Sequence, residues 1–241
     1  MHRPPFRADH IGSLLRPARL RHAFRAFSAG ELDNEHFAAA QDAAILDAIN
    51  LQQDAGFAVV TDGEFRRGSY WSRFVERIEG LGVAEALFRF HDEQGEELAF
   101  TAPRVTGRLT RREPIALDEF IFLRDNAAAL PKVTFPAPST MHFRRGADAS
   151  PGLHSNPREF CVTWQQIRAW CSASSAPKLP RSKLLTICLR GLMKPRFVDR
   201  DRLAVSPQCG FASTVAGNPV DEAAQRSKLS LTVRVANAAW T

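Results

Sequence analysis

Only four cysteines occur in the 241 residues, and their spacing does not repeat. That excludes the disulfide framework of a small secreted domain and makes a reducing cytoplasm the expected setting. No apolar run approaches the length of a membrane span, so no membrane partner is expected. The N-terminus, MHRPPFRADH, lacks the apolar core of a secretory signal. Acids are nearly missing from one stretch. Between Ala149 and Arg196 stand eight basic residues and a single acid, Glu159, giving a segment charge of +7 against +6 for the whole chain. The rest is close to neutral, so the pI of 9.6 reflects one segment and not a basic groove. With no recognised binding motif in that segment, a nucleic-acid partner is not expected.

What is present suffices for a folded domain. A hydrophobic share of 44% with 24% charged residues is that of an ordinary globular chain able to bury a sizeable core. Residues 31–55 carry Phe37, Ala44, Ile45, Ala48, Ile49 and Gln52 on one side at helical spacing, and Gly56 stops the helix. The stretch FAVVTDGEF follows, with Phe57 to Val60 as a short buried strand and Asp62-Gly63-Glu64 as its exit loop. Helix, turn, apolar strand and acidic loop form the rhythm of a parallel α/β sheet.

Further along, HDEQGEELAF is a second acid-bearing loop region. In TAPRVTGRLT the alternation of Val105, Gly107 and Leu109 predicts an antiparallel or inserted strand. DEFIFLRDNAAAL reads as a helix, and KVTFPAPSTMHF as a strand running into a proline-broken loop. The last segment, Pro219 to Trp240, is a predicted helix with Asn218 as N-cap and Pro219 at its first position. Val220, Ala224, Leu229, Leu231, Val235 and Ala239 are its expected apolar contacts. The basic segment between holds three of the four cysteines and two of the four tryptophans, yet shows no sustained period. So long a stretch of unclear structure inside a compact domain argues against any simple assignment of elements there.

The apolar residues Leu203, Ala204 and Val205 form a strand that Ser206, Pro207 and Gly210 break, which leaves Cys209 on the loop at its C-terminal end. In parallel α/β proteins active sites are built at that end. A lone cysteine is otherwise most often a small buried hydrophobe.

Taken together, RADHIGSLLRPARL, TDGEFRRGSYWSRF, KVTFPAPSTMHF and LAVSPQCGFAST resemble the catalytic domain of cobalamin-independent methionine synthases, and more closely the short single-domain bacterial and archaeal relatives. The resemblance covers residues 6–147 and 197–241. It implies a (β/α)8 barrel that moves a methyl group from a methyltetrahydrofolate to the thiol of homocysteine, held as a thiolate on Zn2+. The chemistry is coherent: a free thiol is mostly protonated at neutral pH, and a metal deprotonates it. By the same resemblance, Cys209 matches a zinc-ligand cysteine. Ile11, Gly12 and Ser13 match a loop that grips the amino-acid carboxylate, and Glu64 the acid that pairs with the ammonium group. Ser13 would also suit an N-cap before LLRPARL, and Glu64 a solvated loop acid. Asp62 reads as a residue that orients its loop through backbone N–H groups.

One departure is plain. Family members complete the zinc set with a His-x-Cys pair and a glutamate, and no His-x-Cys occurs in this sequence. Coordination by Cys209 alone would be weak. His10 and His142 stand on loops near the expected mouth as substitute ligands. The expected organisation is residues 1–148 as the first part of the barrel, 149–196 as an unrelated basic segment, and 197–241 as the last strand, cysteine loop and helix. The fold expectation is α/β, a (β/α)8 barrel lacking central βα units. Two alternatives to homocysteine methylation stand beside it: a binding protein or inactive remnant without the full zinc site, and alkyl transfer to another thiol such as coenzyme M.

Overall fold

The computed structural model describes residues 6–10, 12–86, 90–91, 97–98, 101–137, 141, 203–207, 211–212 and 220–240. Cys209, Ile11, His142, Asn218, Pro219 and the whole 149–196 segment lie outside them. The chain divides into two compact units.

The first unit comprises residues 1–70, 118–134 and 180–241. Helix α1 (Ala18–Ser28) starts after Pro17, which has the extended backbone of an N-cap but no capping side chain. Ser13 is therefore not a helix cap. Helix α2 (Asn34–Asp54) is capped by Asp33, whose carboxylate accepts from the His36 N–H at 2.8 Å. Its buried side is Gln41, Ala44, Ile45, Ala48, Ile49 and Gln52, the predicted stripe with Gln41 buried and Phe37 only half-buried at its edge. Gly56, at φ 90°, turns the chain out of the helix.

Strand β1 is shorter than the sequence suggested: Val59–Val60, pairing in parallel with β6 (Leu130–Pro131). Between them in the chain lies helix α4 (Leu117–Asn126), all but its first residue in this unit. A second parallel contact joins Ala8 to Val205, with the Asp9 N–H on the Val205 carbonyl and the Val205 N–H on the Arg7 carbonyl, both at 2.9 Å. The strand predicted over Leu203, Ala204 and Val205 is thus a single bridge at Val205 among the described residues. Around these parallel segments packs one core, including Leu14, Leu20, Ile45, Ile49, Phe57, Val60, Phe65, Leu123, Phe211 and Leu229.

The final helix, α5 (Glu222–Ala239), is capped by Asp221, which accepts from the Ala224 N–H at 2.6 Å; the expected Asn218 cap is corrected accordingly. Its inward face is Gln225, Leu229, Thr232 and Ala236, whereas Leu231 and Val235 are exposed. The apolar residues misled because two polar ones occupy the buried positions: Gln225 reaches the Leu15 N–H, and the Thr232 hydroxyl donates to the Lys228 carbonyl.

The second unit comprises residues 71–117 and 135–179. It holds helix α3 (Ser72–Arg77) and strands β2 (Ile78–Glu85), β3 (Phe90–His91), β4 (Glu97–Leu98) and β5 (Thr101–Arg111). β2 and β5 pair antiparallel with an irregularity between Glu79 and Leu81, and β3 and β4 pair antiparallel. The strand expected in TAPRVTGRLT is β5, with Val105 and Leu109 buried. Among the described residues no helix is long and apolar enough to cross a membrane.

Candidate active site

Each parallel strand segment of the first unit leads into a loop, and these loops are tied to one another. The Leu14 N–H donates to the Gly63 carbonyl at 3.2 Å. The Phe211 N–H donates to the Ser13 carbonyl at 2.6 Å, and the Ala212 N–H to the Ser13 hydroxyl oxygen at 3.2 Å. Arg16 adds a buried clasp: its guanidinium donates to the carbonyls of Ala212 (3.2 Å), Glu64 (3.0 Å) and Arg67 (2.6 Å). Burial lowers the Arg16 pKa to about 10, with Glu64 and Asp62 opposing that shift. Residues about fifty and two hundred positions apart in the sequence are thereby held in one cluster.

The loop Asp62-Gly63-Glu64 takes its shape from local hydrogen bonds. Asp62 Oδ1 accepts from the Glu64 N–H at 2.9 Å, and Thr61 Oγ1 from the Gly63 N–H at 3.2 Å. Gly63 sits at φ 66° and Glu64 at φ 61°, the only non-glycine among the described residues in the left-handed region. Such a backbone costs free energy for a side-chain-bearing residue and is kept only where surrounding bonds impose it. Gly12, at φ 97°, has the same need for glycine in the loop before Ser13.

Glu64 is buried. Its Oε1 accepts from the Thr134 hydroxyl at 2.6 Å and lies 3.6 Å from Arg67 Nη1, while Oε2 has no partner among the described residues. Arg67 is anchored by a fork on Glu119, Nε to Oε1 at 3.1 Å and Nη2 to Oε2 at 2.6 Å, with both side chains essentially inaccessible. Burial opposes the charge on Arg67, but Glu119, Asp62 and Glu64 together outweigh it and raise its pKa. Asp62 is driven the other way. Burial first, then Glu119, raises its carboxyl to about 7, against the pull of Arg67. Its Oδ2 is a second buried oxygen without a partner among the described residues.

His10 contributes a third such atom. Gln52 donates through Nε2 to the carbonyls of Ala48 and Thr61 and accepts at Oε1 from the Thr61 N–H, which fixes its amide orientation. His10 Nε2, 2.6 Å from that Oε1, must therefore carry the proton, and Nδ1 is left as a buried lone pair. Burial and then the nearby Lys132 charge lower the His10 pKa to about 4. Lys132, just past β6, forms an ion pair with Asp9 and donates to the His10 carbonyl at 2.7 Å.

A zinc ion needs several of these donors on one point. The described residues contain no group of three or more His, Cys, Asp or Glu side chains placed to hold a metal. They do not fit the metal as they stand. His10 is a buried histidine bonded through Nε2 to Gln52, with no pair of further His, Cys, Asp or Glu ligands beside it among the described residues, and Cys209 and His142 lie outside them.

The structure thus brings Ser13 and Glu64 onto adjoining loops, with Gly12 beside them. Thr134, Arg16, Arg67 and Glu119 join them without having been singled out in the sequence. Gln52 had left a signal, an amide in an otherwise apolar stripe; the others had none that a single sequence displays.

Comparison with known proteins decides the family. The profile of the cobalamin-independent synthase catalytic domain matches residues 6–128, about half of the chain. The chain belongs to this family. Among curated relatives, the uncharacterised protein YxjH of Bacillus subtilis is 34% identical over 160 residues, covering 65% of this chain and 41% of the relative. The methionine synthase of Sulfolobus acidocaldarius is 33% identical over 132 residues, 54% of this chain and 38% of the relative. The chain therefore spans about two-fifths of the length of these two curated relatives. Among solved structures, a B12-independent methionine synthase from Shewanella, in complex with selenomethionine, superposes with a TM-score of 0.51 at 19% identity, over 69% of this chain and 47% of that one. A Listeria monocytogenes protein named for vitamin-B12-independent methionine synthase gives 0.64 at 19% identity over the full length of both chains. These show the fold: α/β of TIM-barrel type, here in partial form.

Proposed function

We propose that this member of the family binds a homocysteine-type amino acid through the stitched loops, as the amino-acid half of a methyltransferase site of the methionine-synthase kind. The observation that carries the reading is the pair of complementary vacant groups on adjoining loops. Glu64 Oε2 is a buried acceptor with no donor among the described residues, suited to an ammonium group. Ser13 Oγ accepts from Ala212 but has no acceptor for its own proton among the described residues, so it can donate to a carboxylate. Gly12 keeps the backbone beside it open to close approach.

In the reaction proposed for the family-type site, the substrate sulfur takes the methyl carbon as the bond from that carbon to the folate nitrogen breaks. Zinc would lower the thiol pKa when bound, and Cys209 is the residue of this chain that matches a ligand by resemblance. The described residues hold and orient the amino acid; no step through the metal follows from them. Methyltetrahydrofolate as donor and the cytoplasm as setting belong to the same proposal.

A second reading, binding without catalysis, is favoured by the absence of His-x-Cys from the sequence. Coenzyme M fits less well, because it carries a sulfonate and no ammonium and would leave Glu64 Oε2 unpaired. Calorimetric titration of the full chain with L-homocysteine and L-methionine tests the grip; loss of affinity in Glu64→Gln is expected, and equal affinity refutes the assignment. Zinc content of the same protein and of Cys209→Ser separates the readings: stoichiometric zinc lost with the cysteine supports the enzyme, and a folded zinc-free chain supports binding alone.

A further inference from the structure

We propose that Thr134 is a positioning residue that commits one oxygen of Glu64 to the protein and so makes Glu64 a single-oxygen acceptor, matched to a primary ammonium group. The inference rests on the reading of Glu64 as the ammonium partner.

The direction of the protons follows from the chemistry of the donors. Arg67 Nη1 lies 3.1 Å from Thr134 Oγ1, and a guanidinium can only donate. The hydroxyl therefore accepts from Arg67 with a lone pair, and its single proton goes to Glu64 Oε1 at 2.6 Å. Arg67 Nη2 also holds the Thr134 backbone carbonyl at 3.0 Å, so one guanidinium fixes both the main chain and the hydroxyl of this residue. Arg67 in turn is immobilised by Glu119. At 3.6 Å from Glu64 Oε1, Arg67 forms an ion pair with the carboxylate but lies outside hydrogen-bond range of it, so the hydrogen bond between the two residues runs through the threonine.

Rigidity of this relay has a consequence for recognition. A free glutamate can offer both oxygens to a planar fork such as a guanidinium. Here Oε1 is held by the Thr134 hydroxyl with Arg67 3.6 Å away, and Oε2, buried and unpartnered among the described residues, is the oxygen left wholly open to a ligand. A primary ammonium, a compact donor that needs no fork, suits one oxygen. Removal of the hydroxyl frees the carboxylate to rotate and leaves Oε1 as an unsatisfied buried acceptor that competes for the ligand's protons.

The test is equilibrium binding of L-methionine and of 4-methylthiobutanoate, which lacks the ammonium group, to the full chain. In Thr134→Val, affinity for L-methionine is expected to fall about tenfold or more while affinity for 4-methylthiobutanoate is unchanged. Thr134→Ser, which restores the hydroxyl, should recover methionine binding. Thr134→Ala removes the same group without a branched side chain and serves if the valine variant does not fold. Equal losses for both ligands would mark Thr134 as merely structural and overturn the proposal. Discrimination lost in Glu64→Gln but kept in both hydroxyl-free variants would overturn it while leaving the ammonium reading intact. Discrimination unchanged in Glu64→Gln, or no methionine binding by the wild-type chain, would overturn that reading and this proposal with it.

Discussion

Asp62→Asn is predicted to change how stability depends on pH, with a sign opposite to that of an ordinary paired aspartate. Burial and Glu119 raise the Asp62 carboxyl from 3.8 to about 7, so the folded chain holds this proton more tightly than the unfolded chain does. Its contribution is fully present below 3.8 and is lost as pH rises towards about 7. A shift of that size corresponds to at most about 4 kcal/mol across the window. Asparagine keeps an oxygen for the Glu64 N–H, the bond that shapes the loop, and carries no titrating proton. The variant should therefore gain on the wild type as pH rises, by up to about 4 kcal/mol between roughly pH 4 and pH 8. Urea midpoints of both proteins at several pH values measure the difference, provided the slope with denaturant is common to both. A constant difference across the window, or one that grows as pH falls, would refute the charge assignment. His10 acts in the opposite sense, since its lowered pKa costs stability as pH falls from 6.5 towards about 4, and it is present in both proteins, so the comparison cancels it.

Two further substitutions probe the framework. Glu119→Ala leaves the Arg67 guanidinium buried without its fork and should destabilise the chain by about 3–5 kcal/mol in denaturant unfolding, whereas a loss below about 1 kcal/mol would mean that the pair is solvated. Gly80→Ala, at the register irregularity of β2, puts a methyl group against the Arg108 carbonyl oxygen and 2.7 Å from that of Gly107 at φ 82°; a loss well above 1 kcal/mol is expected from strain and collision together, and near-neutral stability would contradict the β2–β5 register.

How much of this was legible depends on the range of the interaction. The stripe of α2, its stop at Gly56 and the alternation in β5 follow from neighbours a few residues apart, and the sequence displays them directly. Two misplaced details of α5, its cap and its buried face, share one cause. The sequence offered Asn-Pro and a set of apolar residues, but Asp221 was the better-placed side chain, and Gln225 and Thr232 found hydrogen bonds that made polar burial tolerable. The family motifs marked Gly12, Ser13 and Glu64. Nothing in a single sequence marked Thr134 as the partner of Glu64, because seventy positions separate them.

Local punctuation, the α/β rhythm and the kinship of the chain are readable from residue order alone, since helix stripes, caps and strand-end motifs are set by residues close in order. Folding in three dimensions sets which oxygen of Glu64 is left vacant, raises the Asp62 carboxyl to about 7, and buries His10 as a neutral histidine. Those outcomes depend on burial and on charges brought together from distant positions. Both are properties of packing, in which the low dielectric of the interior magnifies each charge that packing places nearby.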